Sequence, residues 1–200
     1  EINEGDWSSD VCSSDLWSRP VRCVEENGTL HFADGGQAAF DAVIDTRGVG
    51  AQASRQGACA SASPVFDVRG VRGEVIWLQA PAHGLTRLTR LLHPRHGVYI
   101  VPRSPDLLLI GASELETEDR SPASLRSTVE LLAAAHSAMP ALAEARILRL
   151  DVNLRPALPD NNPHTEWRGR CLRINGLFRH GWLLAPALTE QAMQLTGWLK

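Results

Sequence analysis

Residues 173–195 read "RINGLFRHGWLLAPALTEQAMQL". A strand-like stretch breaks at Gly176. Arg179 and His180 follow, then Gly181, then an apolar helix in which Pro186 is expected near the first turn, where a missing N–H costs nothing. Leu188, Ala192, Leu195 and Leu199 fall on one stripe of that helix. Strand, turn and helix in this order are the closing unit of an α/β layer. Two glycines and two basic side chains before the helix mark backbone that something approaches closely.

Upstream the chain is mostly strands. "HFADGGQAAFDAVIDTRGVGAQ" (31–52) holds a turn at Asp34, Gly35 and Gly36, then a strand from Phe40 to Asp45 whose nearly continuous apolar content predicts burial on both faces. "VRGEVIWLQA" (71–80) sets Val71, Gly73, Val75 and Trp77 against Arg72, Glu74, Ile76 and Leu78, the period of a strand. "GVYIVPR" (97–103) and "DLLLIGASE" (106–114) form a strand pair joined at Ser104, Pro105 and Asp106. Ser121 and Pro122 predict the cap and first residue of a helix with Leu125, Val129, Leu132 and His136 on one face, closed by Met139 and Pro140. Residues 146–163 begin as a strand and end in a Pro/Asp/Asn-rich loop, where Asp160 is a turn residue. "CLRING" (171–176) is a short strand. The fold class is α+β: a mixed-sheet middle flanked by pieces of an α/β unit.

Bulk properties narrow the function. The chain has 200 residues, 44% hydrophobic and 22% charged, with a net charge of -3. That charge gives no case for nucleic acid or an acidic membrane as partner. No apolar run approaches the roughly 18 residues of a membrane span. Cys12, Cys23, Cys59 and Cys171 form no C-x-x-C pair, and no histidine cluster has ligand spacing, so no metal site is expected. Scattered cysteines in a chain with no signal-like start fit a cytoplasmic location. G-x-G-x-x-G, P-loop, H-E-x-x-H and G-x-S-x-G motifs are all missing from the sequence.

Residues 6–16, "DWSSDVCSSDL", have no period and repeat "SSD". All eleven resemble the in-frame translation of a widely used sequencing adapter. Residues 1–16 are set apart from the fold on that reading, and the chain is expected to be the C-terminal portion of a longer protein.

Four segments in order carry a resemblance: "VRGEVIWL"; "VYIVPR" followed by "LLLIGAS"; "NLRPALPDNNP"; and "GLFRHGWLLAPA". Together they resemble the FAD-dependent D-amino-acid oxidase family, most closely its glycine-oxidase branch from thiamine synthesis, over about residues 40–195. The resemblance implies a mixed-sheet substrate domain at 66–145, with 17–65 and 146–200 belonging to a dinucleotide-binding α/β domain that holds FAD. It implies that Arg155 in "NLRP" binds the substrate carboxylate through its guanidinium fork. Tyr99, the chain's single tyrosine, would help, and Arg179 would lie near substrate and flavin. Gly48, Gly176, Leu177, Arg179, His180, Gly181, Trp182 and Leu183 would border the cofactor. The N–H groups at the helix start would face the end of the ring that becomes negative on reduction.

The implied reaction takes a hydride from the Cα of a small amino acid or secondary amine. Flavin N5 accepts it, the imine hydrolyses, and oxygen reoxidises the flavin to give hydrogen peroxide. The flavin carries the chemistry and no catalytic side chain is implied. A chain without the phosphate fingerprint is expected to be inactive alone. The pattern is broken at four places: Glu114 replaces an apolar residue, Asn153 a glycine, Leu177 a histidine, and Arg47 a small residue. Two alternatives remain: a flavin domain of the same family acting in transfer-RNA modification, and a misassembled fragment without function.

Overall fold

The computed structural model describes residues 18–56, 66–92 and 97–199. The adapter-like stretch at 6–16 lies outside them. Four short strands come first: β1 (Val21–Val24), β2 (Thr29–Phe32), β3 (Gln37–Ala39) and β4 (Val43–Asp45). β1, β2 and β3 form an antiparallel meander. The expected turn between β2 and β3 is made by Asp34, whose Oδ1 accepts from the Gly36 N–H at 2.8 Å.

A five-stranded sheet follows, built from β5 (Arg69–Gln79), β6 (Thr89–Leu92), β7 (Gly97–Ser104), β8 (Leu107–Gly111) and β9 (Arg146–Ala157) in the order β6-β7-β8-β5-β9. All its described pairings are antiparallel. The boundary expected at residue 146 falls at the first residue of β9. That strand pairs with β5 from Arg69↔Ala157 to Gln79↔Arg146, so it belongs to this sheet as far as Ala157. A helix, α1 (Leu125–Ala138), covers one face. Ile76, Leu78, Val98, Ile100, Leu108 and Ile110 pack there against Leu131 and Ala135. Each such large side chain contributes about 1.5–3 kcal/mol on burial.

The strand alternation in β5 holds, and the Arg72–Glu74–Ile76–Leu78 side is the buried one. The details of α1 differ from expectation. Its cap is Ser124, not Ser121, and the Ser124 hydroxyl accepts from Ser127 N–H at 3.2 Å. Ser121 is instead held by Asp119, whose Oδ1 accepts its N–H at 2.9 Å. The buried face is Ser127, Leu131 and Ala135, while Leu125 is 81% exposed. Apolar residues lie on both sides of the helix, and the sheet selected the side with small residues that allow close approach. His136 is exposed.

A third sheet has the order β10-β11-β4, with β10 (His164–Arg168) antiparallel and β4 parallel to β11 (Cys171–Asn175). β4 is shorter than predicted and buried on one face only, since Ile44 is 51% exposed. Val43 and Cys171 pack with Val24 of the meander. Cys171 is a free thiol that burial holds above its usual pKa. Cys23 is fully buried.

The last helix, α2 (Gly181–Leu195), starts five residues before Pro186, so the proline lies in its second turn rather than its first. Of the predicted stripe only Ala192 is buried, while Leu195 is 53% exposed. Among the described residues no helix is long and apolar enough to cross a membrane.

Candidate active site

The uncovered face of the five-stranded sheet carries the row Arg90, Tyr99, Gly111 and Val75, each directly opposite the next on neighbouring strands. Two glycines in this face make room for large side chains. A Cβ on Gly111 would stand 2.8 Å from the Tyr99 ring. A Cβ on Gly73 would collide with Nη1 of Arg155. Tyr99 therefore lies flat across β8, and Arg155 reaches from the edge strand β9 over β5. Glycine inside a strand is the available sequence signal for such close approach; sequence reasoning passed over both Gly73 and Gly111.

Arg155 and Tyr99 line a cavity of about 250 Å³ together with Arg179, His180 and Glu114. The structure thus gathers all three side chains that the resemblance pointed to for substrate. Arg155 donates from Nη1 to the Ser113 carbonyl at 3.1 Å. That bond anchors the guanidinium and leaves its other donors toward the cavity. Arg179 is salt-bridged to Glu114 at 2.7 Å, so its charge is already paired. Among the described residues no group of His, Cys, Asp and Glu side chains could hold a metal ion.

A buried polar network, missed from the sequence, supports this wall from behind. Arg72 and Glu74 are 3% and 1% exposed and pair at 2.7 Å. Arg72 also donates to the carbonyls of Asp119 and Pro122, each at 2.8 Å. The Glu74 N–H donates to Ser113 Oγ at 2.9 Å. Burial pushes the Glu74 carboxyl up, but hydrogen bonds from Ser127, Arg72 and the Ser124 N–H outweigh it, and its pKa lies below the usual range. Charged residues alternating with apolar ones suggest a solvated strand face, yet these two are interior.

The residues expected at the cofactor gather at the C-terminal ends of the parallel pair β4 and β11, where open α/β sheets bind ligands. Gly48 and Gly176 both have positive φ, +57° and +80°. The fold itself explains Gly176: a Cβ there would meet Leu158 at 2.6 Å. Gly181 is different, since a Cβ on it would meet nothing within 4 Å. It opens α2 with His180 as a cap that makes no side-chain bond. The first α2 N–H groups to find a carbonyl are those of Leu183 and Leu184, both on His180. Among the described residues the N–H groups of Gly181 and Trp182 have no backbone partner, and Trp182 is fully exposed. A helix start with open donors and open space fits the electron-rich end of a flavin. Arg47, the long residue in place of a small one, is tied to Asp45 at 2.8 Å, which keeps it out of that space.

Sheet, cavity and helix start define a flavin oxidoreductase architecture, and sequence comparison agrees. The model of the FAD dependent oxidoreductase family (DAO) matches residues 16–195, and the chain belongs to that family. Within it, a Rhizobium etli protein assigned as thiamine biosynthesis oxidoreductase ThiO is 48% identical over 124 residues, 62% of this chain and 38% of the relative. Glycine oxidase of Geobacillus kaustophilus is 32% identical over 170 residues, 82% of this chain and 43% of the relative. The crystal structure of glycine oxidase from Geobacillus kaustophilus matches with a TM-score of 0.67 at 30% identity, over 84% of this chain and 45% of that one. The chain spans less than half the length of each of these relatives.

Proposed function

We propose that the protein containing this chain oxidises the C–N bond of a small α-amino acid or secondary amine to an imine, with FAD as hydride acceptor and oxygen as final acceptor. The observation that carries this reading is the single cavity in which Arg155, Tyr99 and the turn at Arg179 and His180 meet. Gly48, Gly176, Leu177, Arg179, His180, Gly181, Trp182 and Leu183 would hold the flavin ring. When bound, the flavin supplies the redox chemistry. The chain's own residues bind and orient.

Arg155 holds the substrate carboxylate with donors not spent on Ser113, and the Tyr99 hydroxyl adds a further hydrogen bond. A fixed carboxylate fixes Cα, and positioning is then the main contribution the protein makes. The five-stranded sheet is the substrate-binding part; residues 18–56 and 158–199 are the cofactor side. A role in thiamine synthesis rests on the similarity to the Rhizobium etli relative.

Arg155→Ala in the full-length enzyme tests the reading. Truncating one partner of a buried charge pair costs about 2–5 kcal/mol, so kcat/KM for an amino acid falls roughly thirtyfold or more. Arg155→Lys recovers part of the loss, because an ammonium lacks the fork. Flavin absorbance stays unchanged, and a neutral amine without a carboxylate is oxidised at nearly the original rate. Equal losses on both substrates would make Arg155 structural and remove the carboxylate clamp.

A further inference from the structure

One hydrogen bond beside β5 is exchanged, and the exchange leads to Arg155. Beyond Gly111 the chain stays next to β5, where Arg72 and Leu115 swap both backbone bonds, at 2.9 and 3.0 Å. Bonded pairs in an antiparallel ladder recur at every second residue, so Glu74 and Ser113 are the next such pair. Half of that pair is present: the Ser113 N–H donates to the Glu74 carbonyl at 3.2 Å. The other half is altered. The Glu74 N–H donates to Ser113 Oγ at 2.9 Å rather than to the Ser113 carbonyl. That carbonyl instead accepts from Arg155 Nη1 at 3.1 Å. Among the described residues this is the one hydrogen bond that the Arg155 side chain makes.

Resting on the reading of Arg155 as the carboxylate clamp, we propose that Ser113 is its positioning residue. The Ser113 hydroxyl takes the ladder bond that its own carbonyl would otherwise make, and so releases that carbonyl to hold the guanidinium. Glu74 is 1% exposed, and an interior N–H has to find an acceptor. Without the hydroxyl, the acceptor that the ladder offers is the Ser113 carbonyl. Its oxygen has two lone pairs, but turning it into the ladder takes it off the line to Nη1, and hydrogen bonds weaken steeply with misalignment. Nothing beneath the guanidinium replaces it as a stop. Gly73 has no Cβ there, so the flat group rests on bare strand along which it can slide. Ser113 lines the 250 Å³ cavity, so its carbonyl fixes the guanidinium at the wall where the carboxylate is to be met. The exchange needs an oxygen one carbon from the backbone. Threonine supplies it, and valine, of the same shape, does not.

The test uses the full-length flavin-loaded enzyme and methoxyacetate, which carries the carboxylate but no amine to oxidise; binding is followed by flavin absorbance. Ser113→Val is expected to raise the Kd roughly tenfold, the scale of one hydrogen bond to a charged group, while Ser113→Thr keeps it within about twofold. Ser113→Ala, which adds no bulk, matches valine. Any packing fault from the added methyl groups lowers Tm equally in the threonine and valine variants, and alanine carries the comparison in that case. In an Arg155→Ala background, Ser113→Val has no further effect, because two residues acting through one contact are not additive. Threonine as weak as valine at normal Tm, or alanine as tight as the unaltered enzyme, would overturn the exchange. An undiminished Ser113→Val loss in the Arg155→Ala background would show that Ser113 acts elsewhere and overturn its positioning role. A Kd raised by Arg155→Ala but untouched by Ser113→Val would do the same and leave the clamp standing. Unaltered enzyme that does not bind methoxyacetate, or a Kd untouched by Arg155→Ala, would overturn the clamp and the positioning role together.

Discussion

Replacing Glu74 by Gln tests whether the buried network behind the cavity holds the fold. The carboxylate is 1% exposed. Its Oε1 accepts from Arg72 Nε at 2.8 Å and from the Ser124 N–H at 3.2 Å. Gln keeps the shape and removes the charge, which leaves the buried Arg72 guanidinium short of its main partner. Breaking one side of a buried pair costs about 3–5 kcal/mol. Arg72 retains Asp119 Oδ2 at 3.1 Å, a partner 55% exposed and so a partial substitute. The lower end, about 3 kcal/mol, is expected. For a domain of 150–250 residues each kcal/mol moves Tm by roughly 2–4 °C, so Tm drops by ~6–12 °C in thermal unfolding followed by circular dichroism. The double variant Arg72→Met with Glu74→Leu recovers most of the loss, because apolar replacement of a whole buried pair is often neutral or better. A Glu74→Gln drop under about 2 °C would refute the claim that this pair carries its charge in the interior. A double variant as unstable as the single one would show that the loss came from packing.

Acid weakens the protein through the same group. The folded pKa values of Glu74 and Asp45 lie below their ordinary values of 4.5 and 3.8; Asp45 is pushed up by burial but pulled further down by Arg47. Their stabilising contribution is fully present above the unfolded pKa and disappears as pH falls through the folded one. Urea midpoints should hold steady near neutrality and decline below about pH 4.5, with a shallower decline in Glu74→Gln. Gly73→Ala should displace the Arg155 guanidinium, because the added Cβ would occupy the space that Nη1 now fills. The expected outcome is weaker sarcosine binding to the full-length flavin-loaded enzyme, followed by flavin absorbance, with a Tm change under about 4 °C, and unchanged binding would show that Arg155 is not held in place by β5.

Much of the strand architecture was legible because β5, β7, β8, β9 and β11 alternate or run apolar between clear turn residues. Helix faces were less so. In α1, Leu125 and Val129 look like core by hydrophobicity, yet Leu125 is 81% and Val129 55% exposed. Packing distance decided that face, and the sequence of one helix does not state it. The strand β10 went unread because "HTEWR" is polar and pairs only through its neighbour β11. Arg155, Tyr99 and Arg179 came from segment resemblance, and the structure puts them in one cavity. Arg72 and Glu74 were not recognised as buried, since a lone pair of opposite charges two residues apart normally means a solvated edge.

The five-stranded sheet and the β10-β11-β4 sheet are joined at Pro156, next to the proposed clamp. The Phe178 N–H donates to the Pro156 carbonyl at 3.0 Å. A Cβ on Gly48 would touch the Pro156 ring at 3.2 Å, and Asn175 Nδ2 donates to the Gly48 carbonyl at 3.0 Å. The last residues of β9 are thus stitched to both segments proposed to border the flavin. Most of the groups in these contacts are backbone, and one of the others is a proline ring with no rotamer freedom. Backbone contacts hold a fixed separation better than long side chains do, because they lose little further entropy on ordering. The distance from Arg155 to the turn at 176–180 is then set by one residue of main chain and is insensitive to which side chain stands at 153 or 177. That accounts for how Asn153 and Leu177 can depart from the family pattern while Arg155, Arg179 and His180 still meet in one cavity. By contrast, Glu114 departs from the pattern inside the cavity wall itself, where a side chain does define the space.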